Sequence, residues 1–170
     1  ALTGDIPRGA DRETALEAVR LLLLGAEVSQ GAAVPGAWRL HTHAWAAYGP
    51  VAVTPDELGE AWRRGRVEGL LRVQRAGREA WRSDTAKAPG FGRALADAAR
   101  RRPLGAGTLL ALALPPQAAA AGAESPAMEL ALAPGDHLGI SLATATADEA
   151  LGAITLSVDV AAGAAAEAAP

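Results

Sequence analysis

The sequence predicts an α+β domain that is mainly β. Apolar and polar residues alternate over Leu71–Arg75, Ala76-Gly77 offers a tight turn, and Glu79–Arg82 can return as the partner strand. Two further apolar stretches, Leu138–Leu142 and Ile154–Val160, have the length of strands. Only three segments carry helix signals, so short strands outnumber helices.

The first helix signal begins at Asp11, whose side chain can cap a helix amino terminus. Leu16, Val19 and Leu23 follow at helical spacing, so the pattern predicts a helix to about Leu24 that ends at Gly25.

The second helix signal is the capping box Thr54-Pro55-Asp56-Glu57. Pro55 has the torsion of a first helical position, and the pattern predicts a helix to about Arg63 that buries Leu58 and Trp62 and stops at Gly65. A third helix is predicted from about Gly92 to Arg102, where Pro103 halts it.

The remaining segments are assigned as strands, turns or a tail. Strands are predicted within Trp38–Tyr48, at Val51–Val53, over Leu109–Leu114 and over Met128–Leu132. Pro134-Gly135-Asp136 is predicted to form a turn.

Residues 1–160 are expected to form one domain, because 170 residues suffice for one core and not for two. Residues 161–170 are a low-complexity tail and are expected to be disordered.

Composition excludes several classes of function. The net charge of −3 gives no electrostatic case for nucleic-acid binding. The chain has no cysteine, which excludes disulfides, thiolate metal sites and cysteine nucleophiles. No apolar run approaches the roughly 18 residues of a membrane span, so no membrane partner and a cytoplasmic location are expected. The arginine clusters at residues 63–66 and 100–102 lie near predicted helix ends, where positive charge complements the helix dipole.

The histidine pair in Leu40–Pro50 is the main candidate for chemistry. His41 and His43 are two residues apart, so on a strand both would point to one face. With the carboxylate of Glu27 they form a workable ligand set for zinc or ferrous iron. His43 is alternatively an acid–base group, since imidazole titrates near neutral pH. The third interpretation is a polar surface, or a residual dry pocket, with no chemistry.

Other acidic and histidine residues have simpler interpretations. His137 follows the Pro134-Gly135-Asp136 turn and is expected to be a solvent-facing loop residue. Asp56-Glu57 belongs to the capping box, and Asp148-Glu149 to a polar turn, so neither pair is interpreted as a catalytic dyad.

The order of several motifs resembles the fumarylacetoacetate hydrolase (FAH) family. The resemblance rests on Thr3–Ala10, Ala15–Leu22, the run GPVAVTPDELGEAW at Gly49–Trp62, and Leu104–Thr108. Pro134–Leu138 and Leu151–Ile154 fit the closing strands of that family. The similarity covers about residues 1–160 and corresponds to the carboxy-terminal part of a typical member.

Membership would imply a β-sandwich-like roll, N-terminally incomplete here, that usually forms a homodimer. In the family a Glu-x-Glu pair and a later aspartate hold Mg²⁺ or Mn²⁺. The metal binds 2-oxo or β-diketo acids, such as acylpyruvates, and stabilises the developing enolate during C–C hydrolysis or decarboxylation. A lysine contributes to the chemistry.

This sequence departs from the family pattern at those positions. The Glu-x-Glu pair belongs just before Thr3, where the sequence has only Ala1-Leu2. The family's metal aspartate corresponds to Glu27, and the catalytic lysine to His43, with His41 two residues earlier. Leu110–Pro116 stands where relatives have a Gly-Ser-Gly-Thr turn.

These departures favour a degenerate member of the family that is catalytically impaired by itself and serves as a structural or regulatory partner. Its expected partners are a second copy or a complete FAH-family subunit, because unpaired edge strands attract another chain. One alternative is a hydrolase or decarboxylase whose missing carboxylates come from another chain. A second alternative is a non-catalytic module that binds an oxo acid. No cofactor is expected for the chain alone. If another chain completes the site, Mg²⁺ or Mn²⁺ is expected.

Overall fold

The structure, a computed structural model, describes residues 1–29, 43–112 and 132–159. Within these ranges it is mainly β, as predicted, with several antiparallel sheets and few helices. The strands are β1 (Leu2–Thr3), β2 (Val19–Ser29), β3 (His43–Val53), β4 (Trp62–Arg63), β5 (Arg66–Val67), β6 (Leu70–Arg75), β7 (Arg78–Asp84), β8 (His137–Ala143) and β9 (Ala153–Ser157). The α-helices are α1 (Arg12–Glu17) and α2 (Phe91–Ala99), and two short 3-10 helices lie at Gly59–Ala61 and Thr85–Lys87.

The strands form a three-stranded sheet in the order β1-β2-β3, a small hairpin β4-β5, and a four-stranded sheet in the order β7-β6-β8-β9. The strand pairs within the described residues are antiparallel. Strand β9 contacts both β2 and β3, which joins the two larger sheets, and α1 packs on α2. The core takes Leu22 and Leu24 from the first sheet, Ile140 and Ile154 from the second, and Leu95 from α2.

The first helix is much shorter than predicted. Asp11 caps it as expected, since its carboxylate accepts a hydrogen bond of 2.8 Å from the backbone N–H of Thr14. The helix nevertheless ends at Glu17, and the prediction of a helix to Leu24 is wrong. From Val19 the chain is strand β2, in which Leu22 and Leu24 are buried while the intervening Leu23 is half-buried. That alternation is the two-residue period of a strand.

The capping box does not start an α-helix. Residues 55–58 form turns, and a single 3-10 turn follows at Gly59–Ala61. Gly59 has a φ of +50°, which is incompatible with a continuing right-handed helix. The predicted burial is confirmed for Leu58, whereas Trp62 is half-buried and stacks on Phe91 with the ring centroids 6.3 Å apart.

The hairpin and the last helix are close to their predictions. Strands β6 and β7 pair from Leu70–Asp84 to Arg75–Arg78, and the turn is Ala76-Gly77. Helix α2 begins at Phe91 and ends at Ala99, three residues before the predicted end. Leu95 and Ala99 are fully buried. A Cβ added at Gly92 would lie 2.6 Å from the backbone oxygen of Arg12, so glycine permits the close approach of the two helices.

Strand β3 runs through Pro50 without a break, although separate strands were predicted on its two sides. The pairing with β2 shifts register between Leu23 and Gly25, opposite the stretch that contains Pro50. Proline is tolerated there because β3 is the last strand in its sheet, where one side of the backbone is free of the ladder.

The remaining predictions have mixed outcomes. His137 is exposed as expected, but it is the first residue of β8 and not a loop residue. Leu109 makes an isolated bridge to Leu2 instead of a strand. The predictions for residues 38–42, 113–131 and 161–170 lie outside the described ranges. No helix in the described part of the chain is long and apolar enough to span a membrane.

Candidate functional site

Glu27 lies on β2, directly opposite Ala46 of β3. Its side chain is exposed, whereas the adjacent Ala26 and Val28 are packed against the core. Glu27 is therefore on the outward face of the β2–β3 ribbon, because neighbouring residues of a strand point to opposite faces.

His43 is the first residue of β3, and its backbone lies opposite Ser29 of β2. Glu27 and His43 are thus at the same end of the ribbon, with the Val28–Trp45 pair between their rows. The fold brings the backbones of these two predicted site residues to one end of a single ladder. His41 lies outside the described residues, and the roles of all three stay predictions.

Three described residues next to Glu27, along β2 and across the ladder, carry no ligand atoms in their side chains. Ala46 faces Glu27 across the ladder, and Ala26 and Val28 flank it in sequence. Alanine and valine have no donor atoms in their side chains. Within residues 1–29, 43–112 and 132–159, no group of three or more His, Asp or Glu side chains is placed to hold a metal ion.

The outward face next to Glu27 is apolar. Tyr48 pairs with Gly25, and its ring lies 3.4 Å from the position that a Cβ on Gly25 would occupy. The tyrosine covers the glycine yet keeps 50% of its surface exposed, and Val51 keeps 41%.

Two shallow cavities lie elsewhere, on both sides of α1. The first has a volume of about 410 Å³ and the second about 310 Å³. They share Glu13 and Leu16; the first adds Glu17, Val19, Pro55 and Trp62, and the second adds Arg12, Arg64 and Gly92. The first cavity therefore has two glutamates and a tryptophan in its lining, and the second combines two arginines with Glu13.

Sequence reasoning did not single out these cavities. The spacing of Glu13 and Glu17 was a usable signal, since residues four apart share one face of a helix. No sequence signal indicated that Pro55 and Trp62 line the first cavity, because their position depends on how the turn after β3 packs against α1.

The carboxylate of Asp136 accepts three hydrogen bonds. It accepts hydrogen bonds from Arg75 Nε at 2.7 Å, from Arg75 Nη2 at 2.5 Å and from the backbone N–H of Ala133 at 2.7 Å. The Ala133 N–H, and then Arg75, lower the pKa of Asp136 below its ordinary value. These bonds tie the turn before β8 to the end of β6, so Asp136 has a structural role.

The Nδ1 atom of His137 lies 3.1 Å from the hydroxyl of Ser157, within hydrogen-bond distance. Asp148 and Glu149 are exposed in a turn, as predicted, and Asp56 and Glu57 are exposed in the turn after β3. In comparisons with known proteins, no family model matches the chain, and no curated protein matches it.

Proposed function

We propose that the chain is a degenerate FAH-like domain that is catalytically impaired by itself and serves as a structural or regulatory partner of another chain. On this proposal the mainly β framework has the FAH-like sandwich arrangement. The partner is a second copy or a complete subunit of the same family.

The observation that carries the proposal is the docking of two motifs that lie about a hundred residues apart. Thr3–Ile6 and Leu104–Thr108 both belong to the resemblance. The Asp5 carboxylate accepts a hydrogen bond of 2.8 Å from the N–H of Ala106, and the N–H of Gly107 donates to the oxygen of Thr3 at 2.8 Å.

Further backbone bonds complete the docking. The Thr3 N–H donates to the oxygen of Thr108 at 3.0 Å, and Ile6 and Leu104 exchange two bonds of 2.8 and 2.9 Å. The residues that give the sequence its family resemblance thus hold one another in place. This supports the interpretation that they are retained for the framework.

The surroundings of Glu27 support the impaired chemistry. Mg²⁺ requires about six oxygen ligands in near-octahedral geometry, and it gives up its water shell only for several hard donors. Glu27 brings one carboxylate, opposite Ala46 and beside Val28. Within the described ranges no cluster of three or more His, Asp or Glu side chains is placed to hold a metal ion, and one carboxylate does not supply the ligands that Mg²⁺ requires.

The edge strand β3 supports a role as a partner. It is eleven residues long, and it carries the exposed side chains of Tyr48 and Val51. A long edge strand with apolar exposure favours pairing with another chain.

The test measures assembly and activity together. The chain is studied by analytical ultracentrifugation alone and after mixing with a complete FAH-family subunit, and hydrolysis of an acylpyruvate is followed with Mn²⁺ present. We expect a complex and no turnover by the chain alone. Metal-dependent turnover by the isolated chain, lost in Glu27→Ala, would refute the proposal.

One observation favours a second candidate, in which a partner completes an active enzyme. Glu27 and His43 lie at one end of the same ladder, where a carboxylate-bearing strand of another chain would complete a metal site. This candidate predicts that mixing produces activity above that of the partner alone, and that Glu27→Gln removes the increase. If oxo acids raise the melting temperature of the chain and no product forms, the protein is instead a binding module.

A further inference from the structure

The second arginine cluster has no role in the proposed function. Arg100, Arg101 and Arg102 follow α2 directly, and all three are exposed. Helix α2 ends at Ala99, with Arg100 as its cap residue. Arg101 and Arg102 are therefore beyond the helix.

The fold adds a fourth arginine to this cluster. Residues 7–10 form a turn closed by a bond of 3.2 Å from the Ala10 N–H to the oxygen of Pro7, and Arg8 is at its tip. The Gly9 N–H donates to the oxygen of Ala99 at 3.0 Å, which places this turn beside the end of α2. Arg8 is exposed. We call Arg8 and Arg100–Arg102 the basic patch.

Most of the charge in the basic patch is not neutralised within the described chain. Arg100 pairs with Asp97 at 2.8 Å. In the ranges that the structure covers, Arg8, Arg101 and Arg102 make no ion pair and no side-chain hydrogen bond. The patch gathers four of the sixteen basic residues of a chain whose net charge is −3.

The helix dipole explains only part of this arrangement. A cation near the last turn is stabilised by the carbonyl end of the helix, and the effect fades within that turn. This accounts for Arg100. It gives no reason for Arg8, which comes from a different segment, or for two more arginines beyond the helix.

We propose that the basic patch binds an acidic peptide segment of a partner protein. A guanidinium group matches a carboxylate with two parallel hydrogen bonds, so closely spaced arginines suit an extended chain that carries several aspartates or glutamates. A nucleic acid is disfavoured because its affinity grows with the number of phosphates that Lys and Arg neutralise, and the basic patch has only four arginines, one of which is paired with Asp97. A membrane is disfavoured because Leu104, the large apolar residue next to the patch, is buried.

The experiment uses the full chain and a fluorescein-labelled oligoglutamate peptide, with binding followed by anisotropy. The test variant is Arg101→Ser/Arg102→Ser. The control is Arg63→Ser/Arg78→Ser, which removes the same charge from exposed residues elsewhere. Circular dichroism establishes that both variants are folded.

We expect saturable binding that weakens as salt screens the charges between about 20 and about 300 mM. The test variant should bind about tenfold more weakly, since each exposed arginine–carboxylate contact is worth about threefold. The control should change binding by about twofold or less, through net charge alone. Arg101→Lys/Arg102→Lys should retain salt-dependent binding with part of the affinity. Lysine keeps the positive charge but cannot donate two parallel hydrogen bonds to one carboxylate.

Three results would overturn the proposal: no binding of the peptide at low salt, equal losses in the test and control variants, or tighter arginine-dependent binding of a thymidine oligonucleotide or of phosphatidylserine vesicles than of the peptide. The last result would assign the patch to a different class of partner. None of these results bears on the proposed FAH-like framework.

Discussion

Ala76 has a backbone conformation that alanine disfavours. Its φ is +50°, and it precedes Gly77, at +75°, in the two-residue turn between Arg75 and Arg78. Positive φ at both central residues is the signature of a type I′ turn, in which asparagine or glycine is preferred at the first position. The Ala76 side chain is exposed, so a substitution there changes backbone strain and little else.

The magnitude follows from two opposing terms. The left-handed conformation costs a non-glycine residue about 1–2 kcal/mol. Glycine loses about 0.5–1 kcal/mol more conformational entropy than alanine on folding. Ala76→Gly should therefore stabilise the protein by about 0.5–1 kcal/mol, and Ala76→Asn by a similar amount, since asparagine tolerates this region. Both variants keep the backbone N–H at position 76, which donates a hydrogen bond of 2.9 Å to the backbone oxygen of His137.

Urea denaturation monitored by circular dichroism measures the effect. With a slope of about 2 kcal/mol per M, the midpoint should rise by about 0.25–0.5 M. The control is Ala46→Gly, at an exposed position of β3, where glycine should lower stability by about 0.5–1 kcal/mol. Destabilisation by Ala76→Gly equal to that of the control would refute the assignment of the turn.

Three further predictions concern the core and the turn before β8. Leu95→Ala removes a side chain that is 0% exposed and should lower the free energy of unfolding by about 2–5 kcal/mol in the same assay. Gly69→Ala forces a methyl group onto a backbone oxygen of β8 and should cost about 1–3 kcal/mol, with a midpoint below that of the native protein. Asp136→Asn should destabilise the protein at neutral pH, because the native pKa of this carboxyl is lowered by the Ala133 N–H and by Arg75. That contribution is present above the ordinary aspartate pKa of about 3.9 and is lost as the pH falls through the lowered value, so the gap between variant and native protein should close in acid.

Local signals predicted the elements whose structure depends on neighbouring residues. The β6–β7 hairpin follows from alternation and a two-residue turn, and α2 follows from helical periodicity and the proline after it. Leu21–Leu24 was misassigned because four consecutive leucines satisfy both the helical and the strand period. Residues 19–29 form the strand β2 because they pair with β3, a segment distant in sequence.

The candidate site was less predictable than the fold. Glu27 and His43 can be selected as candidate ligands by residue type, but their placement at one end of a ladder depends on the register of β2 with β3. That register shifts between Leu23 and Gly25 and again between Val28 and Ser29, and no local pattern indicates either shift. The basic patch was equally hidden, because Arg8 meets Arg100–Arg102 only through the docking of residues 6–9 on residues 99–104.

The proposal that the chain by itself has no metal site is tested most directly by a Mn²⁺ titration of the purified chain followed by electron paramagnetic resonance. We expect free Mn²⁺ to fall only through weak, non-saturating binding, with the same curve for the native protein and for Glu27→Ala. A stoichiometric site with octahedral oxygen coordination that is lost in Glu27→Ala would contradict it.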